Sequence, residues 1–318
     1  MNPSSQLNWP VLRHLYWMFN APQLITHSAV LPMQSWYPSD LTSKLRRWQS
    51  EPESAPAWLH ARAHYRLGIY FEDLYAGLIT ELLGWQLLAR NVAVRQKGHT
   101  FGELDFVVQN PISGLVEHHE IAVKFYLAVK TAEGLSWHGP NPADRLDIKV
   151  SRLLSHQLAL SDRPDTIATL GRLGIAAPAT KRLFMPGYLF YPRQRDSRTN
   201  AHISDTPAKF ALPPEADIAS DHLSGSWSYA NEISETDCQY WVPLNKPHWL
   251  GEWQQETEAD PALAADSVQA VEMTGKPRLF ARLARQPGSA MWTEVERIFV
   301  VPSFWPGTQD SSRTTLST

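Results

Sequence analysis

The chain has 318 residues, 43 % of them apolar and 19 % charged, with a formal net charge of −3. That balance describes a folded globular protein and argues against one that coats nucleic acid over its whole surface. A single cysteine, Cys238, excludes an intramolecular disulfide and any zinc site built mainly from thiolates. The opening MNPSSQLNWP has no basic stretch followed by an apolar one, so no signal peptide is expected. No window approaches the roughly 18 uninterrupted apolar residues of a membrane span, and the cytoplasm is the expected compartment. The 13 tryptophans are expected to act as packing anchors and loop clamps.

Taken in order, Val11–Met18 and Asp40–Trp48 have the spacing of short amphipathic helices, and Glu51–Trp58 is a proline-containing joint. A longer helical pattern runs from about Leu59 to Leu83, with Gly84 as its stop. The period then shortens. Leu87–Gln96 and Phe101–Gln109 are predicted strands, joined through the turn residues Asn110–Gly114 to a further strand over Val116–Val129. After the break at Gly139–Pro142, Leu146, Val150, Leu153, Leu154 and Leu158 space out a helix over Ala143–Leu160, and Leu183–Tyr191 is strand-like again. Arg198–Thr236 is polar and broken; Tyr240–Leu244, Arg278–Leu283 and Arg297–Val301 are candidates for short strands or helix turns, and the last dozen residues look frayed. The fold class is α/β. The expected organisation is one unit over 1–318: an N-terminal helical segment (1–55), a core (56–195) and a C-terminal extension (196–318).

Charge is uneven along the chain. Asp144–Arg198 holds ten Lys and Arg against five Asp and Glu, whereas Ala201–Lys276 holds three against thirteen. A basic middle suits contact with a polyanion such as nucleic acid.

Asp105 is unusual in an apolar strand between Leu104 and Phe106, because strands disfavour aspartate. Glu120, Ala122 and Lys124 share one strand face by the two-residue period, with Val123 and Phe125 on the other. Pairing of these strands would set Asp105 beside Glu120, an arrangement costly in an apolar sheet unless a cation lies between them. A Mg²⁺ ion held by one or two carboxylates plus water relieves that cost. Lys124 is then placed to orient a water or to stabilise charge on a phosphate. No P-loop, dinucleotide fingerprint or G-x-S-x-G elbow is present.

The run Gly102–Glu103–Leu104–Asp105–Phe106, a hairpin, then an acid and a lysine on the next strand resembles the metal-dependent PD-(D/E)XK nuclease core, over about Gly68 to Leu160. Gly102–Phe106, His119–Leu127, Gly139–Asn141 and Asp144–Asp147 together resemble, over most of the chain, a bacterial family known as domain of unknown function 1853. The nuclease resemblance implies a mixed central sheet flanked by helices. It implies Asp105 and Glu120 as ligands of Mg²⁺ or Mn²⁺, Lys124 as the catalytic lysine, and Glu72 as a helical catalytic carboxylate. The usual position of the second acid, two before the lysine, is Ala122; Glu120 is roughly 6–7 Å further along the same face. Asp147–Ile148–Lys149 has the literal acid-x-lysine spacing, but on a helix residues two apart point about 200° apart. Arg145, Lys149 and Arg152 are expected as phosphate contacts on that helix edge, with Gln157 and His118 facing the cleft. The expected activity is hydrolysis of nucleic-acid phosphodiesters. The alternative is an inactive chain of the same fold that binds nucleic acid or protein.

Overall fold

The computed structural model of the protein describes residues 3–307 except 62, 97–98, 132–133, 194–211 and 286. Pro10 opens helix α1 (Pro10–Asn20), where its missing N–H would have had no helical acceptor in any case. After the two-residue strand β1 (Ile25–Thr26) comes helix α2 (Leu41–Ser50). Both helices lie where the apolar spacing put them. Leu12, Leu15, Met18 and Phe19 of α1 share one core with Leu41, Leu45 and Trp48 of α2.

The helix expected from Leu59 begins later. Ala57–His60 forms a 3-10 turn, Ala61 and Arg66 are extended, and α3 (Leu67–Gly77) starts only at Leu67. The intervening segment has no apolar stripe to bury; Tyr65 is 73 % exposed, and Leu59 is the buried residue before Leu67 among those described. Helix α3 widens into a π-turn (Leu78–Leu82) and stops at Gly84, whose φ of +67° suits glycine.

Strands β2 (Gln86–Gln96), β3 (His99–Gln109) and β4 (Val116–Ile121) form an antiparallel meander. The β3–β4 turn is organised by Asn110, whose Oδ1 accepts the Ile112 N–H at 2.9 Å. The single strand expected over Val116–Val129 divides at Ala122–Val123, and β5 (Lys124–Thr131) continues into β6 (Gly134–His138). Helix α4 (Leu146–Arg152) runs on through a π-turn (Leu153–Gln157) and a 3-10 turn (Leu158–Asp162), so the expected Ala143–Leu160 helix is present but changes pitch. Helix α5 (Pro164–Arg172) was not apparent in the sequence. The strand expected over Leu183–Tyr191 also divides, into β7 (Thr180–Phe184) and β8 (Gly187–Pro192).

The two divisions are in step. β7 lies parallel to β4, and β8 lies parallel to β5. Across the break the Ala122 N–H donates to the Phe184 carbonyl at 2.9 Å and the Lys124 N–H to the Pro186 carbonyl at 3.2 Å. One pair of parallel strands thus passes from a four-stranded sheet, ordered β2-β3-β4-β7, into a second, larger one. The passage requires glycine at 187, where a Cβ would sit 1.8 Å from the Lys124 carbonyl oxygen.

The larger sheet is completed from the C-terminal part of the chain. Strand β9 (Asp217–Ile218) pairs with β1, and then β10 (Leu223–Tyr229), β11 (Trp241–Leu244), β12 (Gln254–Gln255), helix α6 (Pro261–Thr274), β13 (Arg278–Arg285) and β14 (Trp292–Val301) follow. Its order is β11-β13-β14-β10-β8-β5-β6, with β12 paired to β14. Strand β10 escaped the sequence pattern because Leu223–Tyr229 is rich in Ser and Gly. Its Gly225 is needed where a Cβ would lie 2.5 Å from the Arg297 carbonyl oxygen. The short strands expected near Tyr240, Arg278 and Arg297 are β11, β13 and β14. Residues 308–318, read as frayed, and 198–211 of the broken region lie outside the described residues.

The architecture is mixed α/β, with a mixed sheet flanked by helices. Phe71, Leu74 and Tyr75 of α3 pack with Phe106, Val108 and Phe184 on one side of the smaller sheet, and Leu160 and Leu170 pack with Leu104 and Val107. Trp17, Trp48, Trp85, Trp137, Trp227, Trp241 and Trp305 are all under 9 % exposed, as packing anchors should be. Among the described residues no helix is long and apolar enough to cross a membrane.

Candidate functional site

Strand β4 carries Glu117, His118, His119 and Glu120 in succession, and none is more than 2 % exposed. Four buried ionisable groups in a row demand partners, because an unpaired buried charge costs several kcal/mol. Strand alternation sends Glu117 and His119 to one face and His118 and Glu120 to the other.

On the face toward α3, the His119 ring bridges Tyr75 and Glu117. Its Nδ1 is 2.8 Å from the Tyr75 hydroxyl and its Nε2 is 3.0 Å from Glu117 Oε2. Burial holds the imidazole below its ordinary pKa, so a neutral ring with Nε2–H donating to Glu117 and Nδ1 accepting from Tyr75 satisfies every group. Asn110 Nδ2 donates to Glu117 Oε1 at 3.0 Å, and Arg182 adds a guanidinium at 3.5 Å. Burial pushes the Glu117 carboxyl up, but the hydrogen bonds from His119 and Asn110 outweigh it and hold the carboxyl below its usual value.

On the opposite face Glu120 Oε1 lies 2.8 Å from His118 Nε2, and Glu120 Oε2 accepts from Gln157 Nε2 at 2.9 Å. Asp105, on β3, accepts the Ile121 N–H at 3.0 Å. Its carboxyl is pushed up to about 7, first by burial and then by the negative charge of Glu120, against which the Ile121 N–H provides only partial relief. The charge of Glu72 raises it further, and the ammonium of Lys149 lowers it. Lys149 Nζ donates to Gln157 Oε1 at 3.3 Å; burial, then the neighbouring Lys124, hold that amine below its ordinary pKa. His118 Nδ1 is buried and has no hydrogen-bond partner among the described residues.

The Ala122–Val123 break forms the floor of a cavity of about 440 Å³ lined by Glu72, Ala122, Lys124, Asp144, Lys246 and Trp249, among others. Glu72 is held there by Arg90 at 3.1 Å and Asn91 at 3.2 Å. Lys124 donates to Asp144 Oδ2 at 2.7 Å, and the Tyr126 hydroxyl donates to the other oxygen of the same carboxylate at 3.0 Å.

A family model described as Domain of unknown function (DUF1853) matches residues 13–301. The chain belongs to the DUF1853 family. No curated protein and no solved structure matches it.

For this DUF1853 chain, the structure gathers Asp105, Glu120, Gln157 and Lys149 into one network, with the Glu72 charge acting on Asp105. Val123 and Phe125 pack into the α3-side core, and Ala122 and Tyr126 pack on the other side, as the two-residue period required. Other residues are placed differently from expectation. The amine of Lys124, beyond the strand break at Ala122–Val123, is paired with Asp144 at 2.7 Å. His118 does not face a cleft: it is 0 % exposed and stands behind Glu120. Arg145 is engaged with its near neighbour Asp147 through two hydrogen bonds, and Arg152 is exposed at the end of α4.

Among the described residues no group of three or more His, Cys, Asp or Glu is gathered as a metal cluster. A divalent ion bound on this face would meet two protein carboxylates, Asp105 and Glu120, with water filling its remaining positions. Mutual repulsion between the acids is the property such an ion would relieve, although Glu120 would have to release Gln157 or His118 to bind it. The buried Tyr75–His119–Glu117 chain was not anticipated. Its sequence signal is the Glu-His-His-Glu order of β4, which places one Glu–His pair on each face. Lys246 and Trp249 reach the cavity from the loop after β11 and carry no local signal.

Proposed function

We propose that this chain is a metal-dependent phosphodiesterase of the PD-(D/E)XK type that acts on nucleic acid. The observation that carries the reading is the Asp105–Glu120 pair: two carboxylates from neighbouring strands, Glu120 fully buried and Asp105 half-buried, with Asp105 pushed up to about 7 by burial and by its neighbour's charge. An acid displaced in this way by burial and a specific charged neighbour is a mark of functional sites. Support comes also from the mixed sheet flanked by helices, from the helical Glu72 acting on Asp105, and from the cavity that Glu72 lines.

Asp105 and Glu120 would hold Mg²⁺ or Mn²⁺, whose chemistry is to polarise a phosphoryl oxygen and acidify a bound water. In the hydrolysis, a water oxygen bonds to phosphorus while one ester P–O bond breaks. One proton of the water is lost to solvent or a base, and the departing alkoxide gains one. Glu120 is oriented for its part by His118 and Gln157, and Asp105 by the Ile121 N–H. The cavity beside Lys124 and Lys246 is the place for the flanking nucleotide.

A second reading, a nuclease-fold chain that binds without cleaving, has one observation in its favour: Lys124 is ion-paired with Asp144 at 2.7 Å. Incubation of the purified protein with single- and double-stranded DNA and RNA, plus Mg²⁺ or Mn²⁺, separates the two. Cleavage reduced at least about 100-fold in both Asp105→Ala and Glu120→Ala is the expected result. Tight nucleic-acid binding with no cleavage under any metal would establish the second reading instead.

A further inference from the structure

We infer that Lys149, carried by α4 and held by Gln157, is the amine that serves the Asp105–Glu120 pair in place of Lys124, an assignment that rests on the phosphodiesterase reading above. The strand lysine is committed elsewhere. Its ammonium lies 2.7 Å from Asp144, whose second oxygen is fixed by Tyr126. Moving Lys124 to the acids would strip Asp144 of its counter-charge.

Lys149 is already directed at the acids. The Gln157 amide lies between them and the lysine, its oxygen receiving the ammonium at 3.3 Å and its nitrogen donating to Glu120 Oε2 at 2.9 Å. Only this orientation of the amide satisfies both neighbours, since the flipped form would set N–H against ammonium and oxygen against carboxylate. The charges at its two ends therefore fix which way Gln157 points.

The helix geometry explains how two residues eight apart meet. In an uninterrupted α-helix, eight residues at about 100° each leave the two side chains roughly 80° apart. The π-turn at Leu153–Gln157 widens the spiral and takes up most of that rotation, so Lys149 and Gln157 come onto one face. Ile148, its immediate neighbour, points outward at 56 % exposure. The acid-x-lysine spacing of Asp147–Lys149 is thus not a metal motif: Arg145 takes the acid, and the lysine faces the sheet.

In the reaction the Lys149 ammonium would hydrogen-bond a non-bridging oxygen of the scissile phosphate, matching the charge that grows there. Gln157 touches no reacting atom and is a positioning residue.

Two measurements test the assignment. In metal-free protein, thermal unfolding of Lys149→Met, Asp105→Asn and the double variant forms a cycle, with Lys124→Met in place of Lys149→Met as the comparison. Lys149→Met should lower the unfolding temperature more in the wild-type background than beside Asp105→Asn, whereas Lys124→Met should add independently. In single-turnover cleavage of a labelled oligonucleotide with Mn²⁺, Lys149→Met should lose at least about 100-fold in rate at saturating substrate, and Lys149→Arg should recover part of it. Gln157→Ala should lose about 10-fold in rate constant with KM unchanged. Additive unfolding for Lys149 with Asp105, coupling that appears with Lys124 instead, or full activity in Lys149→Met would each overturn the assignment. Wild-type protein that cleaves nothing while the Lys149–Asp105 coupling persists would overturn the catalytic role through the phosphodiesterase reading, and not through the placement of the lysine.

Discussion

On the α3 side of β4, Glu117 and His119 complete a circuit with Tyr75, Asn110 and Arg182. On the α4 side, His118 and Glu120 begin a similar circuit, but Asp105 adds a second carboxylate and His118 Nδ1 has no partner among the described residues. The two faces start from the same residue types on the same strand and differ in what closes them. The first is satisfied from within the chain: every acid has its donors, and its carboxyl sits below the ordinary value. The second holds two acids whose repulsion the protein only partly offsets, with Asp105 displaced upward to about 7. A satisfied network of this kind rigidifies its surroundings, whereas a displaced acid marks a candidate functional site.

Breaking the closed face should have the largest effect. Glu117→Ala leaves His119 and Asn110 buried without their acceptor and should cost about 3–5 kcal/mol in urea unfolding. On the open face the sign reverses. A buried acid with a raised pKa binds its proton in the folded state at pH values where the unfolded chain has already lost it. Stability contributed by Asp105 is therefore complete below about 3.8, falls as pH rises through about 7, and stays lost above that. Asp105→Asn should accordingly stabilise metal-free protein at pH 8 by on the order of 2–4 kcal/mol and leave stability at pH 3.5 little changed, as read from unfolding midpoints across pH. The smallest effect belongs to Tyr75→Phe, which removes one donor at the end of the closed circuit. It should cost about 1 kcal/mol and leave any metal response intact, as measured by unfolding with and without Mn²⁺.

How much of this was legible in the sequence follows the same division. Periodicity located α1 and α2, because each buries one face and repeats its own spacing, and apolar runs bounded by turn residues located β2, β3 and β4. Asp105 stood out because an aspartate between Leu104 and Phe106 contradicts its local environment. The two-residue period also set Ala122 on the side opposite Val123 and Phe125. It could not show that the strand bends at Ala122–Val123, since that bend is imposed by β7 and β8 passing beside it and by the absence of a Cβ at Gly187. Without the bend, Lys124 reads as the partner of the acids; with it, the lysine reaches Asp144. Lys149 was hidden for a related reason. Uniform helix geometry keeps it off the Gln157 face, and the π-turn that corrects this leaves no mark in the apolar spacing. Strand β10, mostly Ser, Gly and aromatic after Leu223, is flanked by β8 and β14, which supply its pairing.

Calorimetric titration of metal-free protein with Mn²⁺ tests the central claim most directly. One binding event should be seen in wild-type protein and in Tyr75→Phe, and it should disappear in both Asp105→Asn and Glu120→Gln. Binding that persists unchanged in those last two variants, or none in the wild type, would contradict the account.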